Sequence, residues 1–263
     1  MTIAIVGGGA MGEAVIAGLV RDPASPAVHV VEKRVDRATE LETRYAVSTS
    51  SDLASIAGHD TVLLVVKPQD VDAVARAIAP HLASEAVVVS LAAGVTTAFL
   101  AERLPGCAVV RVMPNTPALV GEGMAAVSRG AGASDAQVAR ALAVLGACGQ
   151  VIEVPESHQD LVTAVSGSGP AYLFYLADAL IEAGVVLGLP RATARDLAVQ
   201  TLVGAATMLR ETGEHPVLLR EQVTSPGGTT AAALRELDAR AVRAAIVSAV
   251  AAAATRSAEL AGG

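Results

Sequence analysis

Chemistry-bearing residues crowd the first stretch of this sequence. The apolar run Ile3-Ala4-Ile5-Val6 breaks directly into Gly7-Gly8-Gly9-Ala10-Met11-Gly12, a glycine spacing that lets a backbone approach a phosphate. Gly7 would allow a tight turn, Gly9 would let the chain come close to a pyrophosphate, and Gly12 would let the next helix pack closely on the strand. The N–H groups at that helix's start would then face the anion. A second apolar run, 28–31, ends at Glu32, twenty residues beyond Gly12. A carboxylate there can accept a hydrogen bond from a ribose 2′-hydroxyl, so the two features together read as a dinucleotide site. Lys33 and Arg34 follow at once and carry the opposite message, since two cations could hold a 2′-phosphate. Arg37 is within reach of the same loop, or is simply a solvated charge.

Five further clusters fall where strands would end, or where a helix would begin. Val65-Val66-Lys67-Pro68 closes an apolar run with one of only two lysines in the chain, either a ligand contact on the rim where open parallel sheets bind ligands or a solvated strand-end charge. Ser90-Leu91-Ala92-Ala93-Gly94-Val95 offers small residues against which a flat ring could lie, or which simply pack a loop. Arg111-Val112-Met113-Pro114-Asn115-Thr116-Pro117 is too rich in proline to continue a strand. Asn115 there is either a polar contact for the nicotinamide or an Asx turn before Pro117. Ser166-Gly167-Ser168-Gly169-Pro170-Ala171-Tyr172 opens a long apolar helix, either with Ser168 as its cap or with two serines and two glycines exposing backbone donors to an anion. Thr224-Ser225-Pro226-Gly227-Gly228-Thr229-Thr230 precedes another helical segment. Glycines and hydroxyls at a helix N-terminus suit a small carboxylate, whereas ordinary capping would need one hydroxyl and no glycine pair.

The elements that must hold these clusters follow from periodicity. Short apolar runs at 3–6, 28–31, 61–66, 86–91, 108–112, 124–128 and 151–154 alternate with helical candidates starting at Arg37, Val71, Thr97 and Asp135. This is the pattern of a Rossmann-type, doubly wound parallel sheet with helices on both faces. After Glu156 the sequence becomes alanine-rich with helical spacing, as in Leu173, Leu176 and Leu180, punctuated by Pro190 and Pro216. The expected fold class is therefore α/β: a dinucleotide-binding domain over 1–155, then an all-helical domain over 156–263.

Composition narrows the function. The 263 residues are 52% hydrophobic and 17% charged, with a formal charge of −7, and no basic run could track a nucleic-acid backbone. Asp178, Glu182 and Arg243 are expected to break the most apolar stretches before membrane-spanning length, and a fold beginning at residue 2 leaves no room for a signal peptide. A cytoplasmic protein is expected. Cys107 and Cys148 have no metal-ligand spacing and read as buried reduced thiols; no metal site is expected. His158 and His215 read as surface residues. The helical half contains no lysine. Hydride transfer to a ketone would need a general acid to meet the developing alkoxide. A protonated imine already carries its proton, and an orienting hydroxyl with a carboxylate-binding loop would suffice.

These residues together resemble the pyrroline-5-carboxylate reductase family, nearly end to end. The likeness lies in Val6 to Gly12, Val66-Lys67-Pro68, Ala92-Ala93-Gly94, Met113 to Pro117, Ser166 to Tyr172, and above all Val223 to Thr230 followed by Ala233-Leu234. The resemblance implies NADPH- or NADH-dependent reduction of the C=N bond of 1-pyrroline-5-carboxylate to L-proline, the last step of proline biosynthesis. It also implies a helical domain that dimerises by interlocking, with larger rings of dimers up to a decamer. By position, it puts the phosphates on Val6, Gly7, Gly8, Gly9, Ala10 and Met11. The nicotinamide side falls to Val65, Val66, Lys67, Pro68, Leu91, Ala92 and Ala93, and a polar cofactor contact to Gln222. The substrate falls to Glu156, Thr229 and Thr230 in the loop that contains Ser225 and Gly228, with Thr230 at the reacting nitrogen. The acidic residue at Glu32-Lys33-Arg34 departs from many members that prefer NADPH, which leaves the preference open. Two other readings share the nucleotide motif. A β-hydroxyacid-type dehydrogenase would need a lysine on the helical side, and none follows Lys67. A non-catalytic dinucleotide sensor would leave the Thr224 to Thr230 loop without a purpose.

Overall fold

Successive apolar side chains in Ile3 to Val6 need cover on both faces of a sheet. The computed structural model, which describes residues 1–22 and 26–261, supplies it. The strands are β1 (Ile3–Val6), β2 (Val28–Val31), β3 (Ser48–Ser50), β4 (Thr61–Leu64), β5 (Val87–Ser90), β6 (Ala108–Met113), β7 (Gly123–Arg129) and β8 (Gly149–Glu153). They form one eight-stranded sheet in the order β3-β2-β1-β4-β5-β6-β7-β8. The helices α1 (Ala10–Leu19), α2 (Val35–Tyr45), α3 (Val71–Ile78), α4 (Thr97–Arg103) and α5 (Asp135–Gly146) connect them. Ile3 and Ile5 point into an apolar cluster with Val15, Ile16, Val138 and Leu145. Ala4 and Val6 point into the opposite one with Val71, Ile78 and Leu100. Burying each Val, Leu or Ile side chain contributes about 1.5–3 kcal/mol, which keeps β1 in the interior of the sheet.

Three expectations need correction here. The sheet is not wholly parallel, because β7 runs antiparallel to β6. Nine residues, 114–122, separate these strands, and a parallel connection needs a crossover of a dozen or more. The short edge strand β3 was not expected at all, since Ser48-Thr49-Ser50 presents no apolar run. Finally, β4 stops at Leu64, so Val65 and Val66 lie in the loop beyond it.

The chain divides into two compact units: Met1–Ser168 with Ala253–Gly263, and Gly169–Ala252. The helical elements after β8 are α6 (Gln159–Val162), α7 (Gly169–Val186), α8 (Arg191–Thr212), α9 (Pro216–Gln222), α10 (Thr229–Ala239) and α11 (Val242–Ala261). Pro190 precedes α8 and Pro216 opens α9, as expected. Ser168, however, is no cap. A π-helical turn at Thr163–Gly167 leads into it, and Ser168 has helical backbone angles, its N–H donating to the Thr163 carbonyl at 2.8 Å.

The second unit buries little of its apolar surface in a single chain. Helix α7 has no buried residue, and α8 buries only Ala194 and Ala198. Phe174, Tyr175, Val186 and Leu187 are 68, 80, 83 and 85% exposed, far beyond the scattered apolar exposure of an ordinary surface. Among the described residues one helical run, Glu156–Val186, is long and apolar enough to cross a membrane by length and composition. Asp178 and Glu182 therefore do not interrupt it as expected, because the apolar residues around these two charges keep the mean hydropathy of that part of the run high.

Candidate functional site

Backbone geometry explains each glycine of the first loop. Gly7 has φ +110°, and a β-carbon there would lie 2.8 Å from the Val65 carbonyl oxygen. At Gly12 it would lie 2.2 Å from the Gly7 carbonyl oxygen, so the helix could not start this close to the strand with any side chain. Gly9 is the opposite case, with nothing within 4 Å. It precedes α1, which has no side-chain cap, leaving N–H groups and open space for an anion. The loop fits a dinucleotide pyrophosphate.

Gly8 is gripped on both sides. Its N–H donates to Glu32 Oε2 at 2.9 Å, and its carbonyl accepts from Arg37 Nε at 2.7 Å. Arg37 also donates to Glu13 and, at 2.7 Å, to Glu40. Glu13 further accepts from Arg44 at 2.8 Å and from the Tyr45 hydroxyl at 2.7 Å. The hydrogen bond from Arg37, then that from Tyr45, holds the Glu13 carboxyl below its usual pKa. Arg37 is therefore neither a solvated charge nor a free cation for a 2′-phosphate; it is a strut between α2 and the loop. Glu32, 8% exposed, accepts from the Arg34 N–H at 2.9 Å and from Arg34 Nε at 3.4 Å. A buried carboxylate thus stands ready at the end of β2, flanked by the exposed Lys33 and Arg34.

The strand ends beyond β1 meet at one rim. Val65 donates its N–H to the Val6 carbonyl at 2.9 Å, and Lys67 and Pro68 follow, exposed. Leu91 and Ala92 are buried and Ala93 is exposed. Asn115 departs from the Asx-turn expectation. Its amide donates to the Ser166 carbonyl (3.3 Å) and hydroxyl (3.2 Å), and its Oδ1 accepts from the Met124 N–H at 2.8 Å. It forms no Asx turn, and its polar atoms brace the loop after β6.

Glu156 lies at the start of α4. Its Oε1 accepts from the Thr97 N–H at 2.7 Å and from Arg111 Nη1 at 3.3 Å, and its Oε2 from the Thr97 hydroxyl at 2.5 Å. Sequence reasoning missed Thr97 as a partner and gave Arg111 no role. The available signal was a charge set inside the apolar run 108–112.

In the second unit, Thr229 and Thr230 are the first two residues of α10, which begins after Gly228 without a side-chain cap. Ordinary hydroxyl capping therefore does not account for this loop. Gly227 has φ +69°, which favours glycine, and a β-carbon on Gly228 would lie 2.4 Å from Ser225 Oγ, so the serine hydroxyl would have to move. Gln222 donates to Glu214 at 2.8 Å. His158 and His215 are exposed as expected, and His215 accepts from the Val217 N–H at 3.3 Å. Cys148 is buried, which pushes its thiol up to about 11, and Cys107 is half-buried.

The sequence and fold have close counterparts. Residues 156–260 match the family described as pyrroline-5-carboxylate reductase dimerisation, and residues 2–94 the family described as NADP oxidoreductase, coenzyme F420-dependent. A pyrroline-5-carboxylate reductase of Corynebacterium melassecola is 47% identical over 98% of both chains. Among solved structures, that of a Coxiella burnetii pyrroline-5-carboxylate reductase superposes with a TM-score of 0.94 at 35% identity, covering 98% of both chains. The Plasmodium falciparum pyrroline carboxylate reductase, solved with NADP bound, gives 0.86 at 28% identity, covering 99% of this chain and 98% of that one. With a glycine loop shaped for a dinucleotide, an apolar helical unit and this end-to-end likeness, the chain belongs to the pyrroline-5-carboxylate reductase family.

Proposed function

We propose that this chain reduces the C=N bond of 1-pyrroline-5-carboxylate to L-proline, the last step of proline biosynthesis, with NADPH or NADH. The single observation that carries the reading to its own residues is the Glu156 carboxylate, hydrogen-bonded to Thr97 five residues beyond Ala92. A substrate contact then neighbours the segment that would line the nicotinamide. When bound, the reduced nicotinamide supplies the hydride. The protein's part is binding and orientation. The backbone from Val6 to Met11 and the uncapped start of α1 receive the pyrophosphate, while Glu32, Lys33 and Arg34 meet the adenine ribose. Val65 to Pro68 and Leu91 to Ala93 face the nicotinamide, with Asn115 bracing the neighbouring loop and Gln222 adding a polar contact. The start of α10, shaped by Ser225 and Gly228, receives the substrate carboxylate on its N–H groups and on Thr229. The Thr230 hydroxyl orients the imine nitrogen. No general acid is needed, because the protonated imine brings its own proton.

The functional division falls at 155/156, nucleotide binding before it and substrate binding with dimerisation after it. The exposed apolar faces of α7 and α8 support a homodimer as the working unit, with rings of dimers up to a decamer as a further state. The cytoplasm is the compartment we assign. Oxidation of NADPH and of NADH, followed by the loss of reduced-nicotinamide absorbance, tests the reaction, with the cyclic imine set against β-keto acids. Turnover of the imine alone is expected. Turnover of the keto acids would point to a dehydrogenase, and no turnover with any substrate to a sensor.

A further inference from the structure

Arg111 sits in the middle of β6, where a charge is costly to bury, and its side chain is only 8% exposed. It pairs in register with Ser90 on β5 and Ser128 on β7, so three polar side chains form a row across one face of adjoining strands. All three are buried, in a region otherwise built from valine and alanine. Stability alone does not call for such a row, because apolar residues of similar size usually serve as well as a buried ion pair or better. The row leads to Glu156. A carboxylate has about four acceptor positions, and Thr97 and Arg111 fill three of those on Glu156, two on Oε1 and one on Oε2. The side chain stays 28% exposed, so the remaining acceptor position, on Oε2, is the one open to a ligand. Gln159 secures the same segment from the other side. It is fully buried, and its amide donates to the Ala126 carbonyl at 3.2 Å and to Ser128 Oγ at 2.7 Å.

We infer that Arg111 and Thr97 are positioning residues for the reductase reaction, holding Glu156 with one Oε2 acceptor aimed outward for the cationic N–H of the substrate. The inference rests on the reading of Glu156 as a substrate contact. A glutamate on a free loop would lose side-chain freedom each time it bound substrate, whereas this one is fixed beforehand. Neither residue touches the cofactor loop at Gly7 to Gly12, so the effect is confined to the imine.

A double-mutant comparison of Arg111→Met and Glu156→Gln tests it, reading KM and kcat for the imine together with cofactor affinity by titration. Arg111→Met is expected to raise KM for the imine about tenfold, with cofactor affinity unchanged. In the Glu156→Gln background the same change should add nothing, because its route is already cut. Arg111→Lys, which keeps a charge but not the guanidinium fork, should recover part of the loss. Independent, multiplying losses would overturn the positioning role, as would an unchanged KM in Arg111→Met. If Glu156→Gln itself leaves KM for the imine unaltered, the substrate reading of Glu156 fails, and the positioning role with it. Should Arg111→Met not fold, Thr97→Val removes the hydroxyl from Glu156 Oε2, leaves the strands untouched, and carries the same comparison.

Discussion

Replacing Arg37 with methionine should weaken NADPH and NADH alike, because the side chain holds the glycine loop and not the cofactor. The guanidinium makes three contacts, of unequal worth. The hydrogen bond to the Gly8 carbonyl comes from a charged and largely buried donor, worth about 1.5–3 kcal/mol. The pair with the half-exposed Glu40 is worth about 1 kcal/mol or less. Losing the Glu13 contact falls short of the roughly 3–5 kcal/mol of an orphaned buried charge, because Arg44 and Tyr45 remain on that carboxylate. A total near 3 kcal/mol would lower Tm by about 6–12 °C, at roughly 2–4 °C per kcal/mol for a chain of this size. The acid limb should change too. Glu13 has a depressed carboxyl pKa in the fold, so its contribution is complete above the ordinary value of 4.5 and is lost as pH falls through the folded value. The variant should show a flatter decline of Tm below pH 4.5. Thermal unfolding against pH, with binding titrations of both cofactors, measures all of this. A selective loss of NADPH with Tm unchanged would put Arg37 on the 2′-phosphate and refute the strut.

Three further outcomes are expected. Thr230→Val keeps the shape of the α10 start but removes the orienting hydroxyl, so kcat/KM for the imine should fall by roughly ten- to a hundredfold, the worth of one hydrogen bond to a charged group; parent activity would move the substrate site elsewhere. Glu32→Gln removes the negative charge that opposes a 2′-phosphate, and the ratio of kcat/KM for NADPH over NADH should rise; an unchanged ratio would detach Glu32 from the ribose. Tyr175→Glu puts a charge on the 80% exposed face of α7 and should yield monomers without activity in sedimentation and turnover assays; an active monomer would sink the dimer as working unit.

What could be read from the sequence was what is local. The glycine spacing and the distance to Glu32 are short-range facts, and the starts of α3, α4 and α5 at Val71, Thr97 and Asp135 were all found by periodicity. The misses share a cause. An apolar run carries no direction, so the reversal of β7 was visible only in the shortness of the link before it. Ser48-Thr49-Ser50 pairs with β2 through its backbone, which leaves no pattern in side-chain type. Asn115 meets Ser166 across 51 positions and Glu156 meets Thr97 across 59, separations that no periodicity spans. Buried polar residues were hardest to place, because their partners are chosen by the fold and not by their neighbours in the chain.

The first compact unit is closed by a segment made well after the rest of it. Ser257 donates to Asp160 at 2.7 Å, and Ala253–Gly263 belongs with Met1–Ser168 rather than with the 84 residues between them. On the ribosome, elongation at about 5–20 residues per second leaves roughly 4–17 s between the synthesis of Ser168 and that of Ala253. Throughout that interval the nascent sheet is complete in strands, but the unit lacks the helical segment that bonds to Asp160. A stop codon at Ala253 would therefore damage a unit whose other residues had been synthesised long before it.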